Sequence, residues 1–493
     1  MMRARASVLC AAFCVVTLGA SLAQAQQSQG QQPTPDQQQT PDQQQTQGQS
    51  AQPIPAYHSP FASTADNSDV VSQQETPDNR SLSGAQNLSP FLVSTRSYWQ
   101  PQINTYATLT DNPTGVGSNT SWTAGAAVSG GVDFHRISGA STMDVDYFGG
   151  ASFYPGYATA NVQALGFSDR IAFHRSTFSL FEQFAYAPGY GTGYGGLGGL
   201  AGSTLPGSGS TGLGPVYQPG QSILTGGGQT LQNSLVAELD TKISARATLT
   251  LAGGFYVLHF FSGDFVNSIN PSFRAGYNYA LTRKDTIAGI YTFTDYAYAN
   301  STQYVRSQTA SLSYGHVVTQ RLAFQIAAGP QWTSSLAPIT VSGTTPTTVN
   351  STSQLGWALN AGLSFTTGRN RLSAYYYHGL YPGSGVFEGS IGNTFSASLT
   401  RQASRTFSSG ISGGYSRNEG VATSGAVYVN ENYDYWYASA SLSHPVGRSL
   451  GLTLSYWFQY QNTPPCVGAV CGTNVVINYV SFGLGWHPRP MAF

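Results

Sequence analysis

The chain has 493 residues, and only 9 % of them are Asp, Glu, Lys or Arg, against about 25 % in ordinary soluble domains. It carries 57 Gly, 30 Tyr and 25 Phe, and its formal net charge is +0. That balance excludes the concentrated basic charge needed to bind nucleic acid, while few charges with many aromatics suit strands that have one face in lipid and one in a wet lumen.

Residues 1–25 read as a cleavable signal peptide. Arg3 and Arg5 supply the positive start, Val8 to Leu22 the apolar segment, and Ala23-Gln24-Ala25 the small-residue cleavage site. Neither Cys10 nor Cys14 follows a lipobox, so no lipoprotein is expected. Residues 26–95 change character. Thr34-Pro-Asp-Gln-Gln-Gln39 is repeated at once as Thr40-Pro-Asp-Gln-Gln-Gln45. A stretch rich in Gln, Pro and Ser cannot bury a core, which predicts a disordered periplasmic tether.

From residue 96 to 493 the expectation is an all-β fold: a transmembrane antiparallel up-and-down barrel of about 18 strands, with 16 as the alternative. No later stretch reaches the ~18 apolar residues of a spanning helix, so a closed barrel is the remaining way to satisfy the backbone in a membrane. Period-two alternation carries the reading. In Trp122 to Phe134, Ala124, Ala126, Val128, Val132 and Phe134 oppose Thr123, Ser129 and Asp133. In Leu355 to Phe365 the apolar set is Leu355, Trp357, Leu359, Ala361, Leu363 and Phe365. In Leu450 to Tyr460 it is Leu450, Leu452, Leu454, Tyr456, Phe458 and Tyr460. A soluble sandwich would keep its outer faces polar. Short turns fall near Arg136, Arg175, Lys242, Arg283, Arg321, Arg369, Arg401 and Arg448, and longer neutral loops lie between them. These turns hold 12 of the 21 Lys and Arg. Such a basic ring belongs at one membrane rim, where side chains reach lipid phosphates.

Strand parity turns Asp133, Asp144 and Asp146 toward the lumen beside the turn at Arg136, and Glu238 likewise beside Lys242. A ring of acids favours cations; the competing account is rim solvation, with pairing to the turn arginines. Arg274, in Phe273-Arg274-Ala275-Gly276-Tyr277, is a lumen-facing base. The longest loop, Pro188 to Gly228, holds no charged residue. Tyr190, Tyr194 and Tyr217 make it a candidate constriction suited to uncharged solutes, against the alternative of a plain Gly-rich surface loop. Cys466 and Cys471 flank a small loop; a disulfide is expected in an oxidising compartment, rather than a metal or redox pair, since no C-x-x-C spacing, His or acid accompanies them. The final strand, Asn474 to Trp486, places Val480, Phe482, Leu484 and Trp486 outward. The chain ends at Phe493 after Pro488 and Pro490, which cannot donate to a ladder. Either the assembly signal ends at Trp486 with a short tail beyond, or the last turn is irregular.

There is no nucleophile elbow, phosphate loop or zinc-binding helix motif. No enzyme activity, cofactor or metal is expected. The stretch Ile103-Asn-Thr-Tyr106-Ala-Thr-Leu-Thr110-Asp111-Asn112 resembles the opening strand of β-barrel porins found with exopolysaccharide systems, with Trp122 to Phe134 as the Gly/Ser-rich strand that follows. A C-terminal aromatic resembles the signal read by the barrel-assembly machinery. The resemblance implies a barrel, and a conduit for polysaccharide as one role. The leading expectation is a porin-like outer-membrane channel for small neutral or weakly charged solutes. The alternatives are exopolysaccharide export and a structural or adhesive barrel with a plugged lumen. The partners expected are outer-membrane lipid, the assembly machinery and the solute or polymer itself.

Overall fold

The computed structural model describes residues 97–493 apart from 114–120, 158, 189–228, 262–264, 283, 300–303, 320, 340–347, 382–387, 405–406, 422–431, 448, 463–473, 487 and 489–490. The signal peptide, the tether, the Tyr190, Tyr194 and Tyr217 loop, and the Cys466 and Cys471 pair therefore lie outside the described residues.

Eighteen long strands run in chain order: β1 (Tyr98–Thr110), β2 (Thr123–Ser138), β3 (Ser141–Phe153), β4 (Ala160–Ala172), β5 (Ser176–Pro188), β6 (Gln229–Lys242), β7 (Ala247–Phe260), β8 (Ser268–Ala280), β9 (Asp285–Tyr298), β10 (Tyr304–Val317), β11 (Leu322–Ile339), β12 (Thr348–Thr366), β13 (Asn370–Tyr381), β14 (Ser390–Ser404), β15 (Phe407–Gly420), β16 (Asn432–Val446), β17 (Leu450–Asn462) and β18 (Val475–Trp486). A two-residue β19 (Met491–Ala492) ends the chain. Each long strand pairs antiparallel with its sequence neighbours, and β1 pairs with β18. The sheet is closed, with the 18 long strands the alternation predicts.

The amphipathic pattern is inverted relative to a soluble protein. On β17, Leu454 is 45 % exposed while Gln459 is 2 % exposed. Outward positions around the wall are Leu, Ile, Phe, Tyr and Trp, among them Ile103, Leu251, Phe273, Trp357, Phe395 and Phe482. Inward positions are buried Ser, Thr, Asn and Gln, such as Asn104, Thr250, Asn278, Ser313, Gln331 and Ser455. A wall with an apolar outside and a polar inside is the arrangement hydrocarbon demands of a barrel.

The seam between first and last strands has two devices. At one end, the chain leaves β1 through Asp111 and Asn112 and stays on β18. Asp111 accepts hydrogen bonds from the backbone N–H of Asn478 (2.7 Å) and from its side-chain amide (2.6 Å), and Asn112 donates its amide to the Val476 carbonyl (3.1 Å). At the other end, β18 leaves the ladder at Trp486, opposite Ile103, and β19 rejoins it with Met491 opposite Trp99. The register shifts by one residue across this break, because Pro488 and Pro490 lack the N–H a continuous ladder requires. The Pro488 carbonyl accepts instead from the Gln100 side chain at 2.9 Å. β18 ends at Trp486, and residues 487, 489 and 490 of the connection to β19 lie outside the described residues. Phe493 is tied back by its N–H to the Ser97 carbonyl (3.3 Å) and stacks on Phe134 with centroids 5.4 Å apart.

Candidate functional site

The lumen wall is the candidate site, and the β2–β3 hairpin begins it. Gly139 sits in the connecting turn at φ 58, a conformation a residue without Cβ adopts at low cost. The resulting register sets Asp133 opposite Asp146 and His135 opposite Asp144, all on the inner face. His135 Nδ1 and Asp144 Oδ1 lie 2.5 Å apart, and Ser168 donates to the other Asp144 oxygen at 3.4 Å. The Tyr98 ring stacks against His135, centroids 5.3 Å apart. Asp133, Asp144 and Asp146 thus sit together as parity predicts, and Asp144 pairs with a histidine rather than with a turn arginine.

Glu238 joins a second group. One cross-strand row runs Arg170, Ser179, Glu238, Ala252, Arg274 and Thr292 over β4 to β9. Asp240, one inward step along β6, accepts from Thr250 at 2.5 Å and interacts electrostatically with both Arg170 and Arg274. Alternating positive, negative and positive groups along a wall offset one another's field. Glu238 and Arg274 are nearly fully buried, so they form part of the wall. Asp133, Asp144 and Asp146 are only half-buried and are the more accessible acids.

Two members of this group were not singled out in the sequence. Arg170 alternates inward with Ser168 and Gly166, and Asp240 with Glu238. Parity carried that signal, but Arg170 adjoins Asp169 near a turn, which reads equally well as a solvated rim. From β9 round to β18 the inner face, among the described residues, is Ser, Thr, Asn, Gln, Gly, small apolar and aromatic residues. The charges of the lumen are therefore gathered on the β2–β8 side.

Away from the short turns the inner wall becomes aromatic. β12 and β13 pair only as far as Leu359 opposite His378, although β11 and β12 continue together to Ile339 opposite Thr348. Released from β12, the end of β13 turns inward. Leu380 packs with Tyr296 and Tyr298 of β9, Val305 of β10, and Val421 beyond β15. The Tyr296 hydroxyl lies 3.4 Å from the Leu380 carbonyl, to which it donates. This cluster brings residues of β9, β10 and β13 together on the long-loop side of the barrel. The constriction expected in the Pro188 to Gly228 loop lies outside the described residues.

No protein-family model matches the chain, and no curated protein matches it. Among solved structures it is similar to OccK5 (OpdH) of Pseudomonas aeruginosa, at 10 % identity over 80 % of this chain and 98 % of that one, with a TM-score of 0.38. It is similar to OpdQ of Pseudomonas aeruginosa at 12 % identity over 80 % of this chain and 99 % of that one, with a TM-score of 0.38. It is also similar to a loop L8 deletion mutant of OmpT, an outer membrane protein of Vibrio cholerae, at 13 % identity over 79 % of this chain and 98 % of that one, with a TM-score of 0.31.

Proposed function

We propose that this chain is an exported outer-membrane channel for the passive passage of small neutral or weakly charged solutes. The observation that carries the reading is the inverted wall: apolar side chains outside, and a closed ring of hydrogen-bonding side chains inside. Lipid supplies no hydrogen bonds, so the outer face is what a bilayer tolerates, while a polar inner face supports water and solute. The long, neutral inner wall from β9 to β18 suits uncharged solutes. The half-buried Asp133, Asp144 and Asp146 add a weak preference for cations.

Planar-bilayer recording tests this. The full chain is expected to give stable open steps with mild cation preference, and Asp133→Asn with Asp146→Asn is expected to lower that preference toward none. No conductance from a folded, inserted protein sinks the channel. One observation favours a second reading. The inward-packed Leu380, Tyr296, Tyr298 and Val305 cluster is what a plugged structural barrel contains, and on that reading the protein remains silent.

A further inference from the structure

The two rims of the barrel treat their basic residues differently. At the long-loop end, Arg306 pairs with Asp295 (3.6 Å) and Arg417 with Glu419 (2.9 Å). At the short-turn end, Arg136, Arg175, Lys242, Arg246, Lys284, Arg321, Arg369 and Arg401 are all exposed. Among the described residues none of these eight forms an ion pair with a carboxylate.

Four turns present these bases in one way. Each opens on an exposed apolar residue and closes on a base: Phe173 with Arg175, Ile243 with Arg246, Leu281 with Lys284, and Val318 with Arg321. The apolar members are between 41 % and 56 % exposed. In three of the turns a hydroxyl fixes the geometry by accepting the backbone N–H of the base itself. Ser244 accepts from Arg246 (3.2 Å), Thr282 from Lys284 (3.0 Å) and Thr319 from Arg321 (3.2 Å). Each construction holds an apolar side chain and a cation within one turn, at the level where the outer apolar band ends. Among the described residues the charge has no carboxylate partner, and about half of the adjoining apolar side chain is left uncovered.

We propose that this rim is a collar for anionic phospholipid: each turn base meets a headgroup phosphate while the neighbouring Phe173, Ile243, Leu281 or Val318 enters the acyl layer. It rests on the membrane reading above, but not on conduction. Lys and Arg at a bilayer surface draw anionic lipid at about 1 kcal/mol each, close to fivefold per site.

The test uses the full chain in nanodiscs of equal phosphatidylcholine and phosphatidylglycerol, released gently into detergent, with retained lipids counted by native mass spectrometry. Phosphatidylglycerol is expected to exceed phosphatidylcholine by about fivefold or more. The joint variant Arg175→Gln, Arg246→Gln, Lys284→Gln and Arg321→Gln is expected to bring the ratio close to one. Arg175→Lys, Arg246→Lys and Arg321→Lys together are expected to preserve it. A heat-dependent gel shift identifies the folded fraction of each variant, and only that fraction is counted. Equal retention by wild type and the joint Gln variant overturns the collar. So does loss of the preference in excess inorganic phosphate, which assigns the sites to free phosphate, or retention only when an acidic periplasmic protein is bound. Failure of the full chain to enter any bilayer overturns the membrane reading and the collar with it, whereas insertion without lipid preference overturns the collar alone.

Discussion

Asp111 gathers two donors of one residue, the backbone N–H and the side-chain amide of Asn478. Removing the carboxylate leaves both without this acceptor beside a buried seam, at a cost of about 1–3 kcal/mol. Asp111→Ala is expected to lower the temperature of the heat-dependent gel shift, and Asp111→Asn to fall between, because one acceptor oxygen remains. A second residue-scale case lies on the outer wall. By ladder parity Glu182, at the midpoint of β5, faces lipid together with Asn233, whose amide donates to it at 3.4 Å. Hydrocarbon offers neither of them a partner. Asn233→Leu alone strands the carboxyl group and is expected to cost about 1–3 kcal/mol. Glu182→Leu with Asn233→Leu removes both polar groups and is expected to restore or exceed wild-type stability. Urea unfolding in vesicles measures both; a double variant weaker than the single one refutes the placement.

Among the elements, β11 shows how a single small residue permits a pairing. Gly329 faces inward opposite Ala358 of β12, and a Cβ there would collide with the backbone of Ala310 and Ser311 on β10. Gly329→Val is expected to displace β10 from β11 and to reduce the folded fraction in the gel-shift assay, while Gly362→Ala on β12, which meets open space, is expected to fold normally. The closing element is β19. It is only two residues long, yet it returns the chain to β1 across the proline break and seats Phe493 on Phe134. Deleting residues 491–493 opens the edge of β1 there. Slower or less complete assembly in vesicles is expected, with unchanged conductance from the fraction that closes.

For the whole molecule, the distribution of charge and apolar surface matters more than any single contact. Among the described residues, the ionic groups of the inner face lie on β2–β8, β9–β18 carry a neutral inner wall, and an aromatic cluster joins β13 to β9 and β10 on the long-loop side. If that cluster limits flow, Leu380→Ala with Tyr298→Ala is expected to raise the single-channel conductance without changing its ion preference, since neither residue is charged. Unchanged conductance places the narrowest point elsewhere. On the proposed channel reading, any cation preference is expected to follow Asp133, Asp144 and Asp146, which are more accessible than the buried Glu238 and Arg274.

Much of this was determined by the chain alone, because a barrel wall is locally encoded. Alternation of period two states which side chains meet lipid and which meet the lumen, strand by strand, so the strand number, the outward Leu and Phe rows, and the inward Asp133, Asp146, Glu238 and Arg274 are legible without any long-range contact. Turn positions and their bases follow from the same local signals. What only the tertiary structure decided depends on register and closure. Asp111 meets Asn478 across 367 positions of sequence; Arg170 and Arg274 share a row with Glu238 because four successive hairpins keep their registers; Leu380 reaches Tyr296 because β13 parts from β12. Phe493, which the prolines made doubtful as a strand end, finds its place on β2 only once the ring has closed. Pairings between distant strands arise from the curvature and shear of the closed sheet, and no stretch of sequence a dozen residues long contains them.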